Sequence, residues 1–229
     1  MRLLINGDSH AAGAEAVNSY AFAEDDAKYA YLKRQPHPDN LKASWGVKLG
    51  QMLNLGTTVL AESASSNERI LRTTNEWLNN YNKDVCIIIQ WSTWERQEWL
   101  IDGQYFQLNA SGIDDVPESH RQKYKEFVAN VDWNQCEQTW HIRIKAFHDD
   151  LTKRQIPHIF FNGNTHFERI KRQNDWGLSY MEPYTGSYHS WLQKNGHQTV
   201  AANSYHYDSK AHGAWAKHLM RYIVDNKIF

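Results

Sequence analysis

Four short, continuously apolar segments separated by helix-like stretches constrain the fold of this chain most strongly. The segments are Arg2–Asn6, Thr57–Ala61, Val85–Gln90 and Pro157–Phe161, and Gln198–Ala202 is a weaker fifth candidate. Apolar runs without alternation are typical of strands covered on both faces of a parallel sheet. We therefore predict an α/β fold, a three-layer α/β/α sandwich with a central parallel sheet of about five strands.

Helical periodicity occupies three of the stretches outside these strands. Apolar side chains recur every three or four residues within Ile70–Tyr81, Trp140–Leu151 and Ala211–Tyr222. We expect the second helix to begin at Asp132, with Gln135 as its capping-box partner. Strands that alternate with helices imply crossover connections, and ligands of such sheets bind beyond the carboxyl ends of the strands.

The chain is predicted to form a single domain over residues 1–229. Its 229 residues are enough for one sizeable core, and no stretch has the composition of an interdomain linker. Asp25–Asn40 and Asp102–Glu118 are rich in polar residues, proline or glycine and are predicted to be long loops.

Charge and hydropathy exclude several classes of partner. The formal net charge is −1, so no basic field favours nucleic acid or an anionic membrane. The longest apolar run, Val85–Ile89, is too short to span a bilayer, and the first residues lack a signal-peptide core. Cys86 and Cys136 have no metal-ligand spacing. We expect a cytoplasmic protein without a nucleic-acid or membrane partner, and without a metal or cofactor.

The first strand ends in Gly7-Asp8-Ser9-His10, followed by small residues that can open a helix. Three interpretations are open: a nucleophile at a strand-to-helix turn, a metal site that uses Asp8 and His10, and an ordinary turn. A serine in this position faces the free N–H groups of a helix N-terminus, which favour a developing oxyanion. Such a serine also needs a base.

The stretch "LLINGDSHAAG" (residues 3–13) resembles the first block of the SGNH, or GDSL-type, hydrolases, in which the serine of G-D-S is the nucleophile. The last block of that family reads D-x-x-H-P-x-x-x-x-H. Here His206 and His212 are likewise six residues apart and are followed by "AWAKHL". The resemblance implies a flavodoxin-like SGNH fold, with Ser9 as the nucleophile and His206 as the general base.

Two oxyanion positions depart from the pattern of this family. Ala61, Ser66 and Asn67 align with its second block, but Ala64 stands where the family has a glycine. Alanine keeps the backbone donor if it adopts the required backbone angles. Ser92 stands where the third block has an asparagine. The resemblance therefore implies an oxyanion hole made by the N–H groups of Ser9 and Ala64 and the Ser92 hydroxyl.

The residue that orients the base also departs from the pattern. Asn203, three residues before His206, stands where the family has an aspartate. Asp208, two residues after His206, is a possible substitute, and the alternative is that it caps the final helix together with Ser209. We carry both Asn203 and Asp208 as candidate catalytic residues.

Candidate substrate-binding residues follow the strands. The segment "QWSTWERQEW" (residues 90–99) resembles a W-T/S-x-x-R-x-E variant found in phage-encoded SGNH proteins, in which Arg96 and either Glu95 or Glu98 would shape the pocket. Asn67 has helix capping as its alternative role, and Asn164 a hydrogen-bonded loop. The complete set of predicted substrate-binding residues is Asp8, His10, Asn67, Trp91, Arg96 and Asn164.

The function predicted from this resemblance is hydrolysis of a small acyl ester, such as an O-acetyl group on a carbohydrate. One alternative is a catalytically weak or inactive SGNH-fold module that binds glycan or is a structural part of a phage particle, where it would be virion-associated. A lesser alternative is a metallophosphoesterase, because Asp8-Ser9-His10 resembles D-x-H and "NGNTHFE" (residues 162–168) resembles G-N-H-E with an inserted threonine. The G-D-x-x-D element of such enzymes is missing from the middle of the chain.

Overall fold

In the described part of the chain, four parallel strands form the central sheet, in the order β2-β1-β3-β6. The computed structural model describes residues 1–19, 35–81, 84–109, 116–170, 176–181 and 183–229. The strands of this sheet are β1 (Arg2–Asn6), β2 (Gly56–Val59), β3 (Val85–Trp91) and β6 (His158–Asn162). The predicted α/β class and parallel sheet are confirmed.

The fifth candidate strand, Gln198–Ala202, does not join the sheet. Within it, Thr199 forms a single antiparallel bridge with Tyr207. Beyond β6, the described residues add one parallel bridge, between Phe160 and Tyr180. The segment carries only Val200 as a large apolar side chain, and that side chain is exposed, so it gains little from burial in a sheet.

Helices cover both faces of the sheet. The helices between β1 and β3 are α1 (Ser9–Ala12), α2 (Pro38–Ala43), α3 (Trp45–Leu53) and α4 (Asn67–Asn80). Those that follow are α5 (Arg121–Ala129), α6 (Trp133–Lys153), α7 (Tyr188–Lys194) and α8 (Ser209–Asp225). Asp132 caps α6 as predicted, since its side chain accepts hydrogen bonds from the Asn134 and Gln135 N–H groups.

Alternate side chains of each strand enter two separate cores, which makes three layers. On one face, Leu3 and Ile5 of β1 pack with residues of α3, α7 and α8. On the other face, Leu4 packs with residues of α4 and α6. Every residue of β3 is buried, which is why this strand reads as an unbroken apolar run. In the described residues, no helix is long and apolar enough to cross a membrane.

A hairpin occupies the first part of the loop predicted at Asp102–Glu118. Strands β4 (Gln97–Ile101) and β5 (Gln104–Leu108) pair antiparallel around Asp102 and Gly103, both of which have positive φ angles. An Asp-Gly pair with positive φ at both positions is a strong hairpin signal. The other predicted loop, Asp25–Asn40, lies largely outside the described residues, and α2 begins within its last part.

Strand order places the carboxyl ends of β1 and β3 side by side. The chain passes from β1 to β2 on one side and then crosses to β3 on the other. In doubly wound sheets this reversal creates a crevice where ligands bind. The segments that begin at Gly7 and Ser92 therefore face the same crevice.

Candidate active site

The turn from β1 into α1 places Ser9 at the first position of a helix. Asp8 caps this helix by accepting a hydrogen bond from the His10 N–H. At Gly7 an added Cβ would lie 2.7 Å from the Ala11 Cβ and 3.0 Å from the Gln90 carbonyl oxygen. The tight turn therefore requires glycine before Asp8, and it fixes the direction of the Ser9 side chain.

The structure brings Ser9 and His206 into hydrogen-bond contact across almost the whole length of the chain. The Ser9 Oγ lies 2.9 Å from the His206 Nε2. His206 lies just before α8 and is held by two backbone contacts, in which its N–H donates to the Ser204 Oγ and its carbonyl accepts from the Val200 N–H. A hydroxyl and an imidazole at this distance can exchange a proton.

Glu15, which was not predicted from the sequence, contacts the other side of the imidazole. Its Oε2 forms a hydrogen bond with the His206 Nδ1 and accepts a second one from the Ser204 Oγ at 2.6 Å. A carboxylate at Nδ1 favours the tautomer that carries the proton there, so Nε2 is left to accept the Ser9 proton. Ser9, His206 and Glu15 thus form a continuous hydrogen-bonded chain.

The backbone at Glu15 is in the left-handed region, with φ of 60°. This conformation is costly for a residue with a side chain and persists where the surrounding structure imposes it. Gly13 ends α1 in the left-handed conformation, so the chain turns back and carries Glu15 toward His206.

The structure corrects both predicted orienting residues. Asp208 caps α8, where its Oδ1 accepts a hydrogen bond from the Ala211 N–H at 2.8 Å. Asn203 is exposed. The residue that contacts the His206 Nδ1 is Glu15, and not Asn203 as predicted. The six-residue spacing from Ser9 to Glu15 has no counterpart in the expected pattern, so only the return of the chain after Gly13 reveals it.

Two neutral histidines flank His206. Burial lowers the pKa of His10 to about 3 and that of His212 to about 3. The His10 ring packs edge-on against the His206 ring, with centroids 5.1 Å apart. The His212 Nδ1 accepts a hydrogen bond from the Trp45 N–H. At neutral pH both side chains are therefore uncharged, and His10 contacts the His206 ring.

Asp8 organises the opposite side of the site. Its carboxylate accepts hydrogen bonds from the Gln90 Nε2 at 2.8 Å, the Ser92 Oγ at 3.0 Å and the Arg96 Nη1 at 3.2 Å. Burial alone would raise the pKa of Asp8, but the Arg96 guanidinium and the hydrogen bonds from the His10 N–H and the Ser92 hydroxyl lower it below its ordinary value. Asp8 is therefore ionised and joins the ends of β1 and β3.

This network corrects the role predicted for Ser92. A serine hydroxyl has one proton to donate, and Ser92 donates it to Asp8 while it accepts a hydrogen bond from Arg96 at 2.9 Å. Ser92 is fully buried. Because its one proton is donated to Asp8, the Ser92 hydroxyl is not available to donate to an oxyanion.

The backbone of Ala64 adopts the conformation that the family pattern assigns to glycine. Its φ angle is 61°. Among the described residues, neither the Ala64 N–H nor the Ser9 N–H has a hydrogen-bond acceptor. Both groups are thus available as donors.

An open cleft lies among residues that are neighbours of the Ser9–His206 pair in contact or in sequence. It lies between Arg96, which is bonded to the residue before Ser9, and Tyr205, the residue before His206. The residues that line it are Thr93, Glu95, Arg96, Asn109, Asn164, His189 and Tyr205. Arg96 and Asn164 were predicted from the sequence, and Glu95 was one of two alternatives. The other, Glu98, pairs with Arg72.

The remaining predicted substrate-binding residues are buried away from this cleft. Trp91 lies in the core against Phe160. Asn67 bridges the Ser92 N–H and carbonyl groups. Asp8 and His10 are 1% and 2% exposed. These side chains build the walls behind the site and do not contact the open space, which corrects the prediction.

The described residues contain no group of three His, Cys, Asp or Glu side chains placed to hold a metal ion. The carboxylate of Asp8, which resembles part of a metallophosphoesterase motif, is fully occupied by protein donors.

A model of a family of unknown function (DUF6071) matches residues 34–156, more than half of the chain. The chain belongs to the DUF6071 family. The part that matches the DUF6071 model contains Asn67, Ser92 and Arg96 but not Ser9, Glu15 or His206. A search of curated protein sequences found no match.

Two solved structures are similar to this DUF6071 member at low identity. One is a protein assigned to the G-D-S-L family of lipolytic proteins from Desulfitobacterium hafniense DCB-2, with 12% identity, a TM-score of 0.42 and coverage of 96% of this chain and 98% of that one. The other is an acetyl xylan esterase from the rumen bacterium Butyrivibrio proteoclasticus, with 13% identity and a TM-score of 0.44. That match covers all of this chain but 65% of the esterase. These matches say nothing of a phage origin, which stays a prediction.

Proposed function

We propose that this protein is a serine esterase of the SGNH type, which hydrolyses a small acyl ester through an acyl-enzyme on Ser9. The observation that carries the proposal is the chain of contacts from the Ser9 Oγ to the His206 Nε2, and from the His206 Nδ1 to Glu15. A nucleophile, a base and a carboxylate that orients the base are the parts that acyl transfer requires.

In the first half of the reaction, the Ser9 Oγ attacks the carbonyl carbon of the ester while the His206 Nε2 takes the hydroxyl proton. The negative charge develops on the carbonyl oxygen, where the free N–H groups of Ser9 and Ala64 are the proposed donors. Glu15 keeps His206 in the required tautomer and stabilises the imidazolium that forms.

Collapse of the tetrahedral intermediate breaks the bond from the carbonyl carbon to the alcohol oxygen. His206 returns its proton to that oxygen, and the alcohol leaves with the acyl group attached to Ser9. A water molecule then attacks the acyl-enzyme, with His206 again accepting a proton, and the carboxylic acid is released as Ser9 regains its hydrogen.

Arg96 and Asp8 stabilise the geometry of this proposed site. The guanidinium bonds Asp8, the Ser92 hydroxyl and the Ser65 carbonyl. It therefore ties the loop that carries Ala64 to the turn that carries Ser9. A fixed relation between these two backbone donors is what an oxyanion hole requires.

The test uses a fluorophosphonate probe and hydrolysis of p-nitrophenyl acetate. We expect the probe to label Ser9, and we expect Ser9→Ala to abolish both labelling and hydrolysis. Ser119→Ala, at an exposed position outside the site, is the matched control and should leave both unchanged. Labelling no greater than that of Ser9→Ala would contradict the proposal and favour a binding module of the same fold.

A further inference from the structure

One oxygen of the Glu15 carboxylate meets two side chains of the segment before α8. The Ser204 Oγ donates a hydrogen bond to the Glu15 Oε2 at 2.6 Å, and the same oxygen contacts the His206 Nδ1. The Ser204 Oγ also accepts a hydrogen bond from the His206 N–H at 3.0 Å. Ser204 therefore contacts both the carboxylate and the backbone of the histidine that this carboxylate orients.

The partners of the Ser204 hydroxyl fix the direction of both hydrogen bonds. A backbone N–H can only donate, and a carboxylate can only accept. The hydroxyl thus uses a lone pair for the His206 N–H and its single proton for the Glu15 carboxylate. The hydroxyl proton is therefore directed at the oxygen that faces the imidazole.

The Glu15 side chain is long and partly exposed. It is 23% exposed, and the His206 side chain is 18% exposed. Fixing a glutamate in one rotamer costs a large part of its side-chain freedom. Because solvent reaches this side chain, packing leaves it more freedom than a buried residue has. A second hydrogen bond from Ser204 reduces the orientations that the carboxylate can adopt.

The two chain segments that meet at this contact are also joined by the backbone. The carbonyl of Ala16, the residue after the glutamate, accepts a hydrogen bond from the Ser209 N–H at 2.9 Å. The Val200 N–H donates to the His206 carbonyl at 3.0 Å. Neither hydrogen bond uses the Ser204 hydroxyl. Loss of that hydroxyl should therefore free the carboxylate while the segments stay together.

We propose that Ser204 is a positioning residue that holds the Glu15 carboxylate against the His206 Nδ1. The proposal rests on the esterase function proposed above, in which the imidazole must keep the tautomer and the direction that let it take the Ser9 proton. In this role Ser204 acts through Glu15 and not on the substrate. The expected consequence is an effect on kcat that requires Glu15 to be present.

The experiment is a double-mutant cycle on hydrolysis of p-nitrophenyl acetate. We expect Ser204→Ala to lower kcat by about 10–100-fold and to change KM by less than about twofold, because a misplaced base slows the reaction without weakening substrate binding. In a Glu15→Ala background, Ser204→Ala should lower kcat by less than about twofold, since no carboxylate is left to hold.

Two further variants separate loss of the hydroxyl from a general disturbance of the segment. Ser204→Thr retains a hydroxyl and should keep at least about half of the wild-type kcat. Ser209→Ala, at the start of α8, removes a hydroxyl that accepts a hydrogen bond from the Lys48 ammonium. It is the matched control and should leave kcat unchanged. Thermal unfolding of each variant checks that it folds.

A second readout does not depend on turnover. The proton between the His206 Nδ1 and a carboxylate gives a downfield resonance in the proton NMR spectrum, and exchange with water broadens it. Glu15→Ala should remove this resonance and so identify it. We expect Ser204→Ala to broaden it or abolish it, and Ser209→Ala to retain it.

The outcomes separate the two proposals. Wild-type kcat in Ser204→Ala, an equal loss of kcat with and without Glu15, or a loss in Ser204→Thr as large as in Ser204→Ala would overturn the positioning role and leave the esterase function standing. Identical spectra of the wild type and Ser204→Ala would also overturn that role. Absence of hydrolysis by the wild type, with a resonance that still depends on Ser204, would overturn the esterase function and leave the positioning of Glu15.

Discussion

Ser9 and Ser92 follow neighbouring strands of the sheet, and their hydroxyl groups have different partners. The Ser9 Oγ lies 2.9 Å from the His206 Nε2, whereas the Ser92 Oγ donates to Asp8 and accepts from Arg96. Both serines stand where the sequence resemblance implies a functional group. The comparison shows that the partner of a hydroxyl decides its role. An imidazole nitrogen can accept the hydroxyl proton, whereas a buried network of charged groups keeps that proton in a fixed hydrogen bond.

The largest expected effect comes from substitution of the two serines. Ser9→Ala should lower kcat for ester hydrolysis by about 10⁵-fold or to background, because it removes the proposed nucleophile. Ser92→Ala should lower kcat by less than about tenfold, since its hydroxyl donates to Asp8 and not to the substrate. Steady-state kinetics on one ester under identical conditions makes the comparison.

The same two substitutions should have the opposite order of effects on stability, with Ser92→Ala the more destabilising. Ser92→Ala leaves a buried carboxylate with one donor fewer and should lower the free energy of unfolding by about 1–3 kcal/mol, whereas Ser9→Ala should change it by less than about 1 kcal/mol. Urea unfolding measures both. A Ser92→Ala protein with unchanged stability and with kcat as low as that of Ser9→Ala would place Ser92 in catalysis after all.

The next largest effect concerns the carboxylate that faces His206. Glu15→Gln should lower kcat by about 10³–10⁴-fold, because an amide neither favours the required tautomer nor stabilises the imidazolium. Asp208→Ala should leave kcat nearly unchanged and lower the free energy of unfolding by about 1 kcal/mol through loss of the α8 cap. A large loss of kcat in Asp208→Ala with full activity in Glu15→Gln would reverse our assignment.

The pH dependence of stability tests the two buried histidines of the site, His10 and His212. The folded-state pKa values of His10 and His212 are about 3, against about 6.5 for a free histidine. As the pH falls, the unfolded chain therefore binds protons at these two histidines before the folded protein does. Their contribution to the free energy of unfolding is complete above pH 6.5 and is lost as the pH falls from 6.5 toward 3. We expect the free energy of unfolding to decrease by about 1.4 kcal/mol per pH unit for each of the two histidines.

Urea unfolding at a series of pH values measures this slope. His10→Gln should remove the contribution of one histidine, whereas His120→Gln, at a more accessible position outside the site, is the control and should retain the slope of the wild type. An identical slope in His10→Gln and the wild type would show that His10 titrates normally in the folded protein.

The smallest expected effect concerns the backbone at Ala64. Its left-handed conformation costs about 1–2 kcal/mol for alanine, and glycine avoids that cost but loses more chain entropy on folding. Ala64→Gly should therefore raise the free energy of unfolding by about 0.5–1 kcal/mol and keep ester hydrolysis, because the backbone donor remains. A fall in stability would mean that the Ala64 methyl group makes contacts worth more than the strain.

The features that could be predicted from the sequence are those with a local signal. Apolar runs located β1, β2, β3 and β6, and the Gly7-Asp8-Ser9 turn placed a serine at the start of a helix. The β4–β5 hairpin also had a local signal, the Asp102-Gly103 pair, but the polar character of the segment led to the prediction of a loop. Trp91 was predicted to bind substrate because it follows the third apolar run, yet it is the last residue of β3 and its side chain lies in the core.

Sequence alone determined the sheet and the position of the candidate nucleophile, because apolar periodicity and glycine requirements act over a few neighbouring residues. The tertiary structure alone decided that Glu15 contacts His206 and that the Ser92 hydroxyl donates to Asp8. It also decided that Asp208 caps α8 and does not orient His206. The Glu15–His206 and Ser92–Asp8 contacts join residues far apart in the chain, and the first depends on where Gly13 turns α1 back and where the segment before α8 returns. Such distances are set by the packing of whole layers, which leaves no periodic trace in the sequence.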